Sequence, residues 1–462
     1  MPALGRRQPH VVVIGGGLAG LAASVALAGQ GVRVTLVEKN PRLGGRATSY
    51  RLPSGEYIDN CQHVTLRCCT NLEDFYRRVG VEHKIRYYDN LLFSDSKGRR
   101  GSIKPSPLPA PFHLTPSFAV FPLLSIGDKY SIARAMLHLL RTGGSPRIAD
   151  GMTMLEWLRR QRQTESAIDR FWRVVLVSAL NEELDRTDAR YGILVFWKAF
   201  LSNSTAFGMG VPAVPLAELY ASCPRLIERN GGEVRTRCTA AEICVAAGVV
   251  AGVHLEGGGE VTGDVYVLAL PFDRLLKVVP AALRETEAFK SIGNLSASPI
   301  TGVHLWFDRS VMSEPFVTSM DHTIQWIFNR TGKYVQIVIS ASHALSNRSQ
   351  QEIVEICQRE LSELLPAARK AQLMRSVVVR ENAATFSPAP ECDQWRPSQK
   401  TALRNLFLAG DWTQTGWPAT MEGAVRSGYK AAEAVLSMEG EPVSLVRPEL
   451  PPNGVARWFA RT

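Results

Sequence analysis

The sequence predicts an α/β fold: a parallel sheet assembled from separate stretches of chain, with two excursions that build a second, α+β domain. Three observations carry this. Residues 11–46 run strand, glycine turn, helix, strand. Continuous apolar runs of strand type return at 265–270 and 406–411, far from the first; parallel strands buried on both faces read this way. The stretches between them switch between helical and strand periodicity.

The pattern opens with Val11-Val12-Val13-Ile14. Gly15, Gly17 and Gly20 follow in the spacing G-x-G-x-x-G, with Leu18 and Ala19 at the helix start. The apolar helix stops at Gly31, and the run 32–37 ends at Glu38, followed by Lys39. This order is the dinucleotide-binding fingerprint in its required context. Gly15 makes the tight turn, Gly17 lets the main chain approach a pyrophosphate, and Gly20 lets helix and strand pack closely. The free N–H groups and positive dipole end of the helix favour the diphosphate. Glu38 can accept hydrogen bonds from a ribose diol. Further on, Gly44 and Gly45 permit close backbone approach and Arg46 offers a charged fork to phosphate.

The chain of 462 residues, 45% hydrophobic and 21% charged, is long enough for two domains. A net charge of +10 can mean nucleic acid, an anionic membrane surface or only solubility. No Lys/Arg run is interleaved with aromatics, so nucleic acid is not expected as a partner. Eight cysteines include no C-x-x-C pair and no zinc spacing, so no metal site is expected. No apolar run reaches the ~20 residues that span a bilayer. No secretory leader is legible, which implies a cytoplasmic protein with reduced thiols.

The nucleotide domain is expected to be discontinuous, from 1–96, 211–288 and 396–440. Its middle part reads as strands at 233–236, 241–245, 249–255 and 265–270, punctuated by Gly248, Gly252 and Gly257-Gly258-Gly259. The substrate domain is expected from 97–210 and 289–395. Its first excursion begins Pro-rich and becomes helical at 130–141, 154–162 and 171–180. The second combines strands at 301–307 and 334–340 with a helix at 350–365. The tail, 441–462, is Pro-rich and expected to be loosely held.

A second nucleotide signature lies near the C-terminus. Gly410-Asp411 ends the 406–411 strand, and Gly416-Trp417-Pro418-Ala419-Thr420-Met421-Glu422 leads into a helix at 422–436. A glycine loop before a helix start offers backbone N–H donors to a ring system or phosphate.

The fingerprint together with Gly44-Gly45-Arg46 resembles the flavoprotein amine oxidase and phytoene desaturase superfamily. A closer resemblance rests on Asp59-Asn60-Cys61-Gln62-His63-Val64, Ala167-Ile168-Asp169-Arg170-Phe171-Trp172, Val211-Pro212, Ile324-Gln325-Trp326, Ala384-Thr385-Phe386 and the block 416–428. These are similar to the squalene-associated FAD-dependent desaturases, better described as hydroxysqualene dehydroxylases of hopanoid biosynthesis. The resemblance runs over residues 10–437, with Cys61 where that family usually has glycine. It implies a Rossmann-like FAD-binding domain (GR2-type). FAD would be held by Gly15, Gly17, Leu18, Ala19, Gly20, Glu38, Lys39, Gly44, Gly45, Arg46, Gln62, His63, Cys238, Gly410, Asp411, Pro418, Ala419, Thr420 and Met421.

The resemblance also implies the reaction: hydroxysqualene is reduced to squalene, the hydroxyl leaving as water and reduced FAD supplying hydride. A triterpene pocket would draw on Phe171, Trp172, Trp197 and Trp326, since aromatic faces stabilise a delocalised cation and a dry pocket excludes water. His63 is the candidate proton donor, because imidazole titrates near neutral pH; a hydrogen-bonded structural histidine is the competing reading. Asp59 suits loop ordering. Glu422, at a helix start, suits capping or catalysis. The rivals are a carotenoid-type desaturase or an amine oxidase, with hydride moving the other way, and a non-catalytic FAD-binding carrier. No second G-x-G-x-x-G follows a strand, so no NAD(P)H site is legible and an external donor would supply the electrons.

A triterpene is nearly insoluble in water, so peripheral contact with the inner face of the cytoplasmic membrane is expected. The candidate surface is 105–124, where Phe112, Leu114, Phe118, Val120, Phe121, Leu123 and Leu124 cluster among prolines, with Lys129 and Arg134 following; an internal wall of the substrate domain is the competing reading. Arg457, Trp458, Phe459 and Arg461 form a basic-aromatic tail.

Overall fold

A computed structural model describes residues 8–149 and 151–460. The glycine turn feeds a five-stranded parallel sheet. Its order is Glu233–Arg235, Arg33–Val37, His10–Ile14, Val265–Leu268 and Leu406–Leu408. His10–Ile14 is central because its β-branched side chains can be buried on both faces; Val11, Val12 and Val13 are wholly buried. Helix Leu18–Gly29 connects the first two strands in sequence, and helix Met421–Met438 packs along it. Gly428 sets that approach: a Cβ there would lie 2.2 Å from the Ala19 carbonyl oxygen. The three sheet pieces expected from the start, middle and end of the chain thus meet in one layer.

The runs at 241–245 and 249–255 do not join this sheet. They form a separate antiparallel meander, Ala240–Ala246, Val249–Leu255 and Glu260–Val261. Ala247 and Gly248 both take positive φ, and a two-residue turn of that kind reverses the chain at once.

The second domain is built on a seven-stranded sheet. Its order is Leu373–Phe386, Ala297–Phe307, Tyr334–Ser340, Trp326–Asn329, Phe316–Ser319, Leu91–Ser94 and Arg100–Ile103. Leu91–Ser94 lies before the expected boundary at 96, yet it pairs in parallel with Phe316–Ser319. On one face Val303, Leu305, Val335, Ile337 and Ile339 pack with Ile353, Cys357 and Leu361 of helix Gln350–Leu364. The other face looks at the nucleotide domain: a Cβ on Gly302 would lie 3.0 Å from the Asn60 carbonyl oxygen.

The helical excursion forms Ile126–Arg141, Met154–Arg160, Arg173–Leu180 and Ala189–Phe196. Capping boxes at Ser125 with Asp128 and at Thr153 with Glu156 start the first two. Two π-helical turns, Ile168–Trp172 and Trp197–Leu201, interrupt the regular ladder, and such turns recur at functional sites.

The tail departs from expectation. Leu445 and Val446 donate main-chain N–H groups to Glu433, Arg447 to Asn71, and Val455 and Ala456 to the Ala110 carbonyl. Asn453 ties it to Ser202 and Ser204. Polar partners along its length hold it as a strap that ends in a 3-10 turn, Gly454–Trp458. Arg461 lies outside the described residues.

Candidate functional site

The cradle begins at the end of His10–Ile14. Gly15 has φ +108°, and a Cβ there would strike the Ala269 carbonyl at 2.5 Å; one on Gly20 would lie 1.9 Å from the Gly15 carbonyl oxygen. These two glycines are demanded by packing. Gly17 is different: a Cβ there would meet only Gly45 Cα, at 3.9 Å. The fold leaves space in front of Gly17, at the N-cap of Leu18–Gly29, where a pyrophosphate would be received. Leu18 and Ala19 form the first turn of that helix. Gly44 closes the opposite wall, its N–H donating to Gly16 O at 2.8 Å. Gly45 has φ +60° and no room for a side chain against Gly17.

Glu38 lies buried at the end of Arg33–Val37. Its Oε2 accepts from Gly16 N at 2.7 Å, and its Oε1 accepts from Asn40 N at 2.7 Å and Asn40 Nδ2 at 2.8 Å. A carboxylate has about four acceptor sites, so capacity remains for a ribose hydroxyl. Cys238 adjoins it, donating its N–H to Glu38 O at 2.9 Å. Lys39 is exposed beside this edge.

The second signature meets the first through Arg46. Its Nη2 donates to Asp411 Oδ1 at 2.7 Å and its Nη1 to Ala384 O at 2.6 Å. Burial works against the Arg46 charge, but Asp411 outweighs it and the guanidinium pKa ends raised. Gly410 carries φ +153°, and a Cβ there would strike the Trp412 indole at 2.2 Å. Pro418 and Ala419 are buried before Thr420, whose Oγ1 accepts from Gly423 N at 3.1 Å and caps the helix that begins at Met421.

Sequence reasoning missed Arg396. It is 1% exposed and holds the second loop from beneath: Nη2 donates to the carbonyls of Asp411, Thr413 and Trp417 and to Thr415 Oγ1. A lone arginine outside any glycine motif gives no sequence signal for such a role. Glu422 serves the neighbouring helix Thr70–Arg78, accepting from Leu72 N at 2.8 Å and Asn71 Nδ2 at 2.8 Å. That is the capping alternative, exercised on another helix.

The loop at 59–63 bridges the two domains. Asp59 orders it, accepting from Ser49 Oγ at 2.7 Å and Leu216 N at 2.9 Å. Gln62 Oε1 accepts from Arg330 Nη1 at 2.9 Å, and Arg330 also pairs with Asp59 at 3.4 Å; Arg330 was not foreseen. His63 lies 2.9 Å through Nδ1 from the Cys61 carbonyl. A carbonyl only accepts, so Nδ1 carries the proton and Nε2 a lone pair. Burial lowers the His63 pKa, so the ring is neutral at pH 7. His304, on the facing sheet, is joined through Nδ1 to Tyr334 Oη at 2.8 Å. Burial, then the charge of Arg330, pushes its pKa down to about 4.

Cys61 points into an apolar cluster with Met209, Phe316, Phe328 and Val338, flanked by Leu66, Tyr88, Leu91, Val211, Ile300 and Trp326. Burial pushes its thiol up to about 12. Of the four expected pocket aromatics, Trp326 joins this cluster, 5.8 Å from Phe328 and stacked on it. Phe171 and Trp172 belong instead to a ladder in the helical excursion, with Phe118, Phe196, Phe200 and Phe207. Trp172 is wholly buried and donates to Gln163 Oε1 at 2.8 Å. Trp197 covers Gly144. Apart from this site, Cys244, His254 and Glu260 bring donor atoms within 4.8 Å of one another on the meander, a convergence across strands that linear spacing does not reveal.

The model of the flavin containing amine oxidoreductase family matches residues 18–436. A 15-cis-phytoene desaturase of Narcissus pseudonarcissus is 27% identical over 455 residues, covering 92% of this chain and 79% of its own. A 15-cis-phytoene desaturase of Synechococcus elongatus is 24% identical over 462 residues, covering 94% and 97%. Among solved structures, an oxidoreductase from Methanosarcina mazei superposes with a TM-score of 0.72 at 18% identity, covering 93% of this chain and all of that one. The fold is that of the flavin amine oxidases, and the cradle fits a flavin cofactor: Gly17 stands open at the N-cap of Leu18–Gly29, where a diphosphate would be received, with Glu38 and the Arg46–Asp411 pair in the adjoining loops.

Proposed function

We propose that this chain, which belongs to the flavin containing amine oxidoreductase family, binds FAD and reduces hydroxysqualene to squalene with loss of water. The observation that carries this reading is the cluster around Cys61. The substrate domain meets the loop at 59–63 with Phe316, Trp326, Phe328, Val338 and Ile300, a surface suited to a hydrocarbon. FAD is favoured over a mononucleotide flavin because Gly17 and Glu38 supply the diphosphate and ribose ends of a dinucleotide site. When bound and reduced, it would supply the hydride. The chain's own residues would orient the polyisoprene, exclude water, and present the faces of Trp326 and Phe328 to a developing positive charge. His63, protonated at Nε2 as the imidazolium, would give the proton with which the hydroxyl leaves as water.

The test is the lipid extract of cells that make the protein and are supplied with hydroxysqualene. Squalene is expected, and its absence with a flavin-loaded protein would count against the reading. A second reading, desaturation of a polyene, is favoured by the names of the relatives and by the neutral state of His63, which at pH 7 accepts a proton more readily than it gives one.

Such substrates would be drawn from a membrane. Among the described residues no helix is long and apolar enough to cross one, so contact would be peripheral. Within the expected surface, Phe121, Leu123 and Leu124 are buried against the domain core and Phe118 packs on Phe171. The outward residues within it are Leu108, Phe112 and Val120 (78% exposed), and the following helix adds Ile126 (87%), Tyr130 and Leu137. Trp458 (73%) and Phe459 are exposed too, on the strap that Ala110 holds. Flotation with anionic liposomes, comparing wild type with Val120→Ser/Ile126→Ser, tests this surface. Loss of binding is expected, and equal binding by both would remove it as the anchor.

A further inference from the structure

The face of the seven-stranded sheet that looks at residues 59–63 carries a glutamine that folding does not explain. Gln336 lies on Tyr334–Ser340, in register with His304 on one side and Phe328 on the other. Its direction follows from its neighbours. Gly302, two residues before His304, faces Asn60 and Cys61. The cross-strand partner of Gly302 is Val338, which packs with Cys61, Phe316 and Phe328. Side chains two apart on a strand share a face, so Gln336 stands on this same face between Val338 and Tyr334. It is wholly buried, and neither its Oε1 nor its Nε2 has a hydrogen-bond partner. The polar neighbour in register, His304, engages Tyr334 through Nδ1, and its Nε2 is likewise buried without a partner.

Buried polar groups are paired with few exceptions, and an unpaired one is costly. A methionine or leucine of similar volume would suit a strand position between Val338 and Tyr334 without that cost. Groups retained against stability in this way mark functional positions. The primary amide is both donor and acceptor, and an alcohol hydroxyl is its complement.

We propose that the Gln336 amide is the hydroxyl-recognition group of the substrate site, accepting through Oε1 from, and donating through Nε2 to, the hydroxyl of a polyisoprenoid alcohol whose hydrocarbon lies on the apolar cluster around Cys61. The proposal rests on the reading of an alcohol substrate given above. A site built to pair a hydroxyl rejects the analogue that lacks it, because its own polar group is then left alone.

The test uses oxidised holoprotein titrated with hydroxysqualene and, separately, with squalene, read by the flavin difference spectrum. Wild type is expected to bind the alcohol about tenfold or more tightly than the hydrocarbon. Gln336→Met and Gln336→Leu are each expected to keep FAD and squalene binding, to lose the preference, and to melt no lower than wild type. Equal binding of both ligands by wild type would overturn this subsite and leave the hydrocarbon reading standing. Binding of neither ligand would overturn both. A retained alcohol preference in the variants would overturn the role of Gln336. Loss of FAD from both variants would assign the amide to the cofactor, and so overturn it too.

Discussion

Arg46 Nη2 donates to Asp411 Oδ1 at 2.7 Å, across 365 positions of sequence. This one pair locks the loop after the second strand to the loop before the last helix, so two segments far apart in sequence are fixed in one cradle. Asp411 is 5% exposed, and removing its partner would leave a buried carboxylate alone. Arg46→Ala is expected to weaken flavin retention by roughly tenfold to a hundredfold, from the roughly 1.5–3 kcal/mol of a hydrogen bond to a charged group. Asp411→Asn keeps an acceptor for Arg46 and is expected to lose less. Flavin absorbance after gel filtration, at a series of protein concentrations, separates the two.

Gly17 offers the cleanest test of the cradle, because the protein itself leaves room beside it. Gly17→Val is expected to fold and melt like wild-type apoprotein while purifying colourless. Gly20→Val, whose Cβ would strike the Gly15 carbonyl, is expected to fail at folding instead. A yellow Gly17→Val protein with a full flavin spectrum would remove this glycine from the diphosphate site.

Much of the nucleotide domain was legible because its signals are local. A glycine that must take positive φ, a β-branched run buried on both faces and a cap before a helix are each encoded within a few residues. What stayed hidden depends on distant partners. Arg396 is an isolated arginine until the fold brings four acceptors to its Nη2. Arg330 acquires a role only when Gln62 and Asp59 arrive. Phe121 and Phe118 share the composition of a membrane-facing stretch, and only the packing of the helical excursion turns them inward while leaving Val120 outside. The long strand Leu373–Phe386 escaped notice because half-buried residues along it mix charges and β-branched side chains without a clean alternation.

The two neutral histidines facing the site give the protein an acid-sensitive stability. The pKa of His304 falls from 6.5 to about 4 on folding. Above pH 6.5 neither folded nor unfolded chain binds the proton, and this group contributes no slope. As pH falls from 6.5 to 4, the unfolded chain takes up a proton that the folded state refuses. Stability is expected to drop by about 3 kcal/mol over that window. His304→Gln should flatten the decline, measured by urea unfolding at pH 7.5 and pH 4.5. An unchanged slope would show that His304 is not held neutral.

His63→Ala is expected to retain flavin, since the Cys61 carbonyl it engages belongs to the loop and not to the cradle glycines. If His63 gives a proton during reduction, wild-type turnover rises as pH falls below 6.5, because burial lowers its pKa and the imidazolium is populated only there. The variant should lose that limb and run roughly 100-fold slower. Equal rates and equal pH profiles would return His63 to a structural role.

Under the proposed reaction, electrons leave the flavin for a polyisoprenoid alcohol. Protein reduced with dithionite, freed of excess reductant and mixed anaerobically with hydroxysqualene, is expected to recover the oxidised flavin spectrum while squalene accumulates in equal amount. A reduced spectrum that persists with hydroxysqualene, together with bleaching of the oxidised protein by a polyene such as phytoene, would rule out the proposed reduction and reverse the direction of electron flow.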